Sequence, residues 1–436
     1  MRIAVVGSGI SGLTAAWLLS RRHDVVLYEA NDYLGGHTDT HEVFVEGQSL
    51  RIDTGFIVHN PQHYPLLTRL FKTLDVQTQA TTMSFSVQDA RSGLEYNATR
   101  LDTLFCQRRN LWSPRFWRML RDLSRFYREA PRLLQLDEAG PPLGEYLKAH
   151  HYSDAFRDLH LIPMASALWS SPPAEILAFP AKYLVQFMAN HQMLNLGTRP
   201  SWSVVQGGSR TYVDAMTANW RVRTRLATPV VGVSRDARGV YLRTATGVEE
   251  FDHLVLACHS DQALELLDEP TSAEREVLGA IAYQSNEMLL HTDEKIMPAH
   301  KKAWAAWNVF LPAVPSAACT VSYCMNLLQG LDVTTPLIVS LNRGAEVDPA
   351  CVLLRRTYHH PVYTQQTLEA QHRKKELQGV RRTWFAGAYW GWGFHEDGIR
   401  SGVEVAAALG VDWNGTLARM EEVHSPSSAH PVADCA

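Results

Sequence analysis

The sequence is poor in cysteine, nearly balanced in charge and free of long apolar runs, and each shortage removes a class of protein. Only six cysteines occur in 436 residues: Cys106, Cys258, Cys319, Cys324, Cys351 and Cys435. None stand at CxxC or zinc-ligand spacing, so neither a disulfide framework nor a metal site is predicted. The scatter fits a reducing cytoplasm. A formal net charge of −4 argues against a nucleic-acid partner. No stretch of about 20 apolar residues is present, so no transmembrane helix is predicted. The first apolar run, Ile3 to Val6, meets glycine at once and lacks the cleavage pattern of a secretory leader. Hydrophobic residues at 46% and charged residues at 20% describe an ordered globular chain, and its length predicts two packed domains. Twelve tryptophans suggest an aromatic-lined interior or cleft, with core packing accounting for most of them.

What is present begins at the N-terminus. Arg2–Val6 reads as a buried parallel strand, Gly7-Ser8-Gly9-Ile10-Ser11-Gly12 as a loop, Leu13 to Arg22 as a helix and Asp24–Tyr28 as a second strand ending at Glu29. A bare GxGxxG is weak, but strand, helix and closing acid together make a dinucleotide site. Gly7 permits the tight turn, Gly9 lets backbone approach a pyrophosphate, and Gly12 lets helix and strand pack closely. N–H groups at the helix start, Ser11 among them, face the phosphates. Glu29, 17 residues after Gly12, is placed to accept from both ribose hydroxyls, with Asn31 beside it. The structural alternative, a glycine-rich turn that binds nothing, leaves this constellation unexplained.

The doublet Gly35-Gly36, six residues beyond Glu29 and followed by His37-Thr38, exceeds what a nicotinamide fold needs. It resembles the signature of FAD-binding proteins of the glutathione-reductase-like class. No second GxGxxG follows a strand, so no separate NAD(P)H domain is predicted, and electrons are expected to come from the substrate.

The string VVGSGISGLTAAWLLSRRHDVVLYEANDYLGGHTDT resembles the flavin-containing amine oxidase superfamily, which includes monoamine oxidases, protoporphyrinogen oxidases and phytoene desaturases. Asp53-Thr54-Gly55-Phe56 looks like the family's D-x-G element near the flavin, which implies contacts from Gly55 and Phe56. Thr228 to Val233 resembles the strand whose valine backbone holds the adenine, making Val230 the matching position. Phe385-Ala386-Gly387 and Glu396 to Gly402 resemble the closing motif, which implies that backbone at Gly387, Phe394 and His395 meets the ribityl chain or ring. Met83-Ser84-Phe85-Ser86, Gly207 to Arg210, Trp304 to Asn308 and Gly387 to Gly398 look like one bacterial subfamily, related to the N-terminal part of plant cyclopropane fatty-acid synthases. That resemblance implies work on, or beside, modified acyl chains, and makes a lipid-modifying methyltransferase a conceivable partner.

The chain also departs from the family. His37 stands where an arginine is common, and carries only a partial charge near neutral pH. Tyr389 to Gly402 contains no cysteine, which implies noncovalent FAD. Lys295 is the nearest candidate for the lysine of amine oxidases, and Phe394 replaces a tyrosine of their aromatic cage, which weakens amine oxidation.

These readings predict an α/β chain with a Rossmann-like, glutathione-reductase-like FAD domain over 1–90, 200–265 and 380–420. A mixed α+β substrate domain is inserted as 91–199 and 266–379, and 421–436 is read as a flexible tail. Within it, Ser113-Pro114 reads as a helix start and Phe116, Leu120, Leu123 and Tyr127 as the buried face. A closing helix is expected from Gly402 to Leu409.

A flavin carries its own hydride chemistry, so no obligatory protein base is required. His395, Glu396 and Phe394 are the catalytic candidates: proton relay, ring tuning or substrate wall against a role for backbone and helix capping alone. Trp390 and Trp392 wall a cavity or pack structurally; His359-His360 reads as a loop rather than a metal pair; Cys258 reads as core. Between Arg108 and Arg132, eight arginines face two acidic residues and are interleaved with aromatics. That pattern suits peripheral contact with an anionic bilayer, or a helix with one solvated face.

The leading expectation is dehydrogenation or desaturation of a hydrophobic or lipid substrate, such as a methyl-branched or cyclopropane-type acyl chain, with hydride passing to flavin N5. The alternatives are amine oxidation and a noncatalytic flavoprotein partner of a methyltransferase.

Overall fold

The computed structural model describes residues 1–136, 140–194, 200–314 and 318–413; the expected tail at 421–436 lies outside these described residues. The described residues form two compact units, one drawn from 1–36, 216–273 and 375–413 and the other from 37–215 and 274–374. The segments 37–90 and 200–215, assigned by sequence to the nucleotide domain, therefore group with the second unit.

The first unit is built on a parallel sheet. Arg2–Val6 pairs with Asp24–Tyr28 on one side and His253–Leu256 on the other. Val222–Arg225 and Thr383–Phe385 complete a five-stranded sheet at its two edges. Ile3, Ala4, Val5, Val25, Val26, Leu254 and Val255 are wholly buried, as in a parallel sheet covered on both faces. An antiparallel meander of Val230–Arg235, Val240–Thr244 and Gly247–Phe251 is appended; its last strand has no counterpart in the sequence reading.

Two helices differ from expectation. The first begins at Ile10 and ends at Leu19, because Gly9 is extended (φ −62°, ψ 173°) and its carbonyl already accepts from Leu13 N–H. The last spans His395–Ala408, seven residues ahead of the expected start at Gly402. Its glycines are there for contact, not to interrupt: a Cβ at Gly402 would lie 2.5 Å from the Ser11 carbonyl oxygen, and one at Gly398 2.6 Å from Ile10 Cγ2.

The second unit carries a seven-stranded sheet in the order Val352–Pro361, Tyr283–His291, Ile338–Leu341, Val321–Cys324, Trp307–Leu311, Phe85–Asp89, Leu94–Asn97. Pairing is antiparallel except where Trp307–Leu311 runs parallel to Phe85–Asp89. Met288, Leu290, Val309, Val321, Val339 and Leu341 form part of its core. The hairpin of Thr40–Val45 and Gln48–Asp53 turns at Glu46-Gly47, both at positive φ, as a twisted two-residue connection requires. The helix Pro114–Glu129 starts where Ser113 Oγ accepts from Phe116 N–H. Its buried side is Phe116, Met119, Asp122 and Phe126, rotated from the expected face, because buried Asp122 accepts from Ser153 N–H.

Burial sets an acid limit on stability. His59 and His291 are lowered to about 4 by desolvation, and half-buried His63 is lowered likewise. A histidine lowered on folding gives stability that is complete above its unfolded value of 6.5 and is lost as pH falls through about 4. Asp53, raised by burial to about 6, acts oppositely: its contribution is complete below 3.8 and fades as pH rises through about 6. Each fully buried histidine is worth on the order of 3 kcal/mol, so two outweigh one aspartate. Melting temperature is expected to fall between pH 6.5 and 4. Thermal melts across that range check this, and a flat or rising curve contradicts it.

Candidate flavin site

The loop between the first strand and helix is shaped by glycines for three different reasons. Gly7 sits at φ +99°, and a Cβ there would press on the Ala257 carbonyl oxygen at 2.9 Å. A Cβ at Gly12 would fall on the carbonyl oxygen of Gly7, so this glycine sets how closely the helix approaches the strand. Gly9 is the opposite case: a Cβ there meets no atom within 4 Å. Nothing in the protein requires glycine at that place, yet it opens the helix N-terminus, which carries no side-chain cap. An uncapped helix start behind an open backbone suits a pyrophosphate, whose charge the N–H groups and dipole favour. Ser11 is buried in the first turn. Gly35 and Gly36 lie at φ +127° and +59°; Gly35 N–H donates to the Ser8 carbonyl at 3.1 Å, and Gly36 abuts Gly9 Cα.

Glu29 is 7% exposed and already engaged on both oxygens. Oε2 accepts from Ser8 N–H (2.9 Å) and Ser8 Oγ (2.6 Å); Oε1 accepts from Asn31 N–H and Asn31 Nδ2, both at 2.9 Å. A carboxylate offers about four acceptor sites, so a further hydroxyl can be accepted by Glu29 only in place of one of these donors. Ser8 is the residue that sequence reasoning missed here; the signal was a hydroxyl inside the glycine loop. Beside this corner, Thr228 N–H donates to the Glu29 carbonyl and Ala227 N–H to that of Asn31. This ties the segment before Val230 to the same edge. Val230 is half-buried at the start of its strand, next to an irregularity in pairing at Val230/Gly232. Cys258, expected in the core, is half-buried just past the strand His253–Leu256, and desolvation pushes its thiol up to about 12.

The closing segment belongs to the same unit. Gly387 N–H donates to Ser401 Oγ at 3.1 Å, and a Cβ at Gly387 would collide with the Tyr389 ring. Phe394 is the N-cap of the helix His395–Ala408; Phe394 and His395 are half-buried, and Glu396 is buried in the first turn. The organising side chain is one that sequence reasoning passed over, Asp397. Its Oδ2 accepts from Trp392 N–H (3.0 Å) and Phe394 N–H (3.1 Å), while Oδ1 pairs with Arg400. Burial pushes the Asp397 carboxyl up, against the pull of Arg400 and these amides. Trp390 is held structurally, its indole N–H donating to the Phe385 carbonyl at 3.1 Å.

The remaining expected contacts lie in the second unit. Phe56 N–H donates to the His37 carbonyl at 2.7 Å, and a Cβ at Gly55 would fall on that same oxygen, which explains glycine in the D-x-G element. The His37 ring packs near Tyr358 and His360, with centroids 5.2 and 5.5 Å away. Desolvation lowers the His37 pKa against the pull of Asp39, which disfavours the partial charge expected there. Buried Thr38 bonds Tyr212 through the two hydroxyls. Asp39 accepts from Tyr358 OH at 2.7 Å, and that hydroxyl also meets Thr54 Oγ1 at 2.8 Å. Burial alone would raise Asp39; His41, Tyr358 and Arg356 hold it below the ordinary carboxylate range. His359 and His360 lie on the edge strand Val352–Pro361, not in a loop, because they pair with Ser285 and Gln284. Among the described residues no group of side chains is arranged to hold a metal ion. Lys295 is exposed on the turn Glu294–Ile296, unlike a lysine enclosed at a reaction centre.

Known proteins resemble this arrangement at three levels. A 97-residue segment is 32% identical to zeta-carotene desaturase from Synechocystis sp., but the match covers only 21% of this chain and 19% of the desaturase. In fold, the chain is similar to a CLA-producing fatty acid isomerase from P. acnes: TM-score 0.68, 16% identity, 94% of this chain and 99% of that one. It is similar also to cyclohexylamine oxidase from Brevibacterium oxydans, with TM-score 0.66, 18% identity, and coverage of 94% and 98%. At these identities the likeness to solved structures concerns fold alone. The family model of flavin containing amine oxidoreductases matches residues 10–318, more than half of the chain. The chain therefore belongs to the flavin-containing amine oxidoreductase family and is a flavin-dependent oxidoreductase, with FAD as its cofactor.

Proposed function

We propose that the chain dehydrogenates or desaturates a hydrophobic substrate, an acyl chain with a methyl branch or cyclopropane ring being the leading class. The observation that carries this reading is at the closing helix. Phe394, an apolar ring, caps it where amine oxidases carry a tyrosine. The exposed position of Lys295 also argues against amine chemistry. The desaturase likeness over 97 residues and the fold of a fatty acid isomerase support the substrate class.

In this reading the first unit is a Rossmann-like, glutathione-reductase-like FAD domain and the second contributes the inserted substrate domain. Gly7, Gly9, Ser11 and Gly12 hold the pyrophosphate, Glu29 and Asn31 the adenosine ribose, and Val230 the adenine. Gly35, Gly36, Gly387, Phe394 and His395 offer backbone to the rest of the cofactor, while the expected contacts at His37, Thr38, Gly55 and Phe56 belong to the second unit. The absence of cysteine over 389–402 supports noncovalent attachment. A bound flavin supplies the hydride acceptor at N5. Asp397 fixes the loop before the closing helix, and so positions the Phe394 ring and the backbone at His395. Glu396 lies near Arg400, whose raised pKa it helps to maintain, so its charge is anchored within the helix. We assign it to positioning rather than proton transfer.

A second reading, amine oxidation, rests on the fold shared with cyclohexylamine oxidase. Anaerobic mixing separates the two. Branched or cyclopropane acyl substrates are expected to bleach the oxidised flavin band, and amines are not. Bleaching by amines alone would reverse the assignment. If neither class reduces the flavin while a lipid-modifying methyltransferase binds tightly, the chain is a noncatalytic flavin-bearing partner.

A further inference from the structure

We infer that the tryptophan- and arginine-rich start of the helix Pro114–Glu129 docks on an anionic phospholipid bilayer. The inference is independent of the substrate proposed above. Trp112 is 86% exposed, Leu101 76% and Trp117 49%, with Leu111 exposed beside them. Single exposed apolar residues are ordinary, but Leu111, Trp112 and Trp117, three neighbours that include two indoles, make a contact surface. The cluster is held in place. Trp117 Nε1 donates to the Leu111 carbonyl at 2.8 Å, and the Trp117 ring packs against Phe105 at 5.5 Å. Trp112 ends the tight turn Arg108–Trp112 that immediately precedes the helix.

Charge flanks this apolar tip and continues along the helix to Arg128 in its last turn. Trp117, Arg121 and Arg128 fall on the helix side opposite the buried Phe116, Met119, Asp122 and Phe126. Arg115, Arg118 and Arg128 are exposed, and among the described residues none has an acidic partner within 4.0 Å. Arg108 and Lys302 share one carboxylate, Asp102. At the helix start a cleft opens between Arg109 and Arg115, with Ser92 and Ser113 on its walls and Phe116 and Leu159 among its lining. Arg109 is held there by the Gly93 carbonyl and Gln107, and Ser92 by Asp89, which leaves Arg115 at the mouth over apolar side chains to meet the phosphate of a lipid headgroup. Indoles that enter the interface while unpaired arginines meet anionic headgroups are the elements of a peripheral membrane surface. A nucleic acid would use the arginines equally, but would leave Leu101 and Leu111 in water, so the bilayer is favoured.

The test is sedimentation of the flavin-loaded full chain with vesicles of phosphatidylcholine and phosphatidylglycerol, against vesicles of phosphatidylcholine alone. Binding is expected only to the anionic vesicles, with a blue shift of tryptophan emission and weakening by added salt. The triple variant Arg115→Glu, Arg118→Glu, Arg128→Glu should lower partitioning on the order of a hundredfold, at about tenfold or less per removed charge. Trp112→Ser, at a residue too exposed to affect folding, should lower it roughly tenfold. Retained yellow colour and melting temperature establish that the variants are folded. Equal binding to both vesicles, no binding to either, unchanged partitioning of Trp112→Ser, or capture by polyuridine in preference to anionic vesicles would each overturn the inference.

Discussion

Asp397→Ala is expected to destabilise the protein by about 3 kcal/mol and to release flavin, because it leaves the half-buried Arg400 guanidinium without its partner and two backbone N–H groups without their acceptor. Asp397 and Arg400 stand three residues apart on the closing helix, and the carboxylate is 4% exposed. The same carboxylate also collects the N–H groups of Trp392 and Phe394. Removing it therefore undoes an ion pair and the loop that leads into the helix in one step. Asp397→Asn keeps an acceptor for one or both amides but loses the charge, so its loss should be intermediate. Denaturant melts of the three proteins measure the ordering. Wild-type stability for the alanine variant would show that Arg400 is satisfied elsewhere and that the loop does not depend on Asp397.

Glu29→Ala is expected to raise the dissociation constant for FAD by roughly a hundredfold or more, as loss of one or two charge-assisted hydrogen bonds implies. The four bonds that Glu29 accepts from Ser8 and Asn31 sharpen this prediction. Part of the loss should come from the loop itself, since Ser8 N–H loses its acceptor. Ser8→Ala removes one donor to Glu29 and frees an oxygen for ribose, so its effect on FAD should be far smaller. Isothermal titration of the apoproteins with FAD distinguishes the two. Equal losses would mean that Glu29 acts only as a brace for the loop.

Much of this site is legible from sequence because its demands are local. Gly7, Gly35 and Gly36 adopt positive φ, which glycine alone does without strain, so the string itself reports the turn. The alternation of an apolar strand, glycine loop and helix is read within thirty-six residues, the span that the first unit claims before the chain leaves it. What was not legible depends on distance. Ser8 matters through Glu29, 21 positions away, and nothing in a glycine loop says which of its hydroxyls will find a carboxylate. The closing helix starts seven residues ahead of the expected Gly402, because Gly398 and Gly402 lie inside it and make room for the helix Ile10–Leu19, a contact that local sequence does not report. The arginine-rich helix was rotated for a similar reason. Asp122 looks solvent-facing until Ser153, 31 residues on, gives it a buried partner.

The claim on which the rest depends is that the open backbone at Gly9 is where the pyrophosphate of FAD approaches. Gly9→Ala tests it most directly, because the position has an ordinary φ of −62° and its added methyl meets no protein atom within 4 Å. The apoprotein of Gly9→Ala should melt at the wild-type temperature, while its affinity for FAD falls by roughly tenfold or more from crowding of the phosphate. Unchanged FAD affinity with unchanged apoprotein stability would contradict the account and place the cofactor elsewhere.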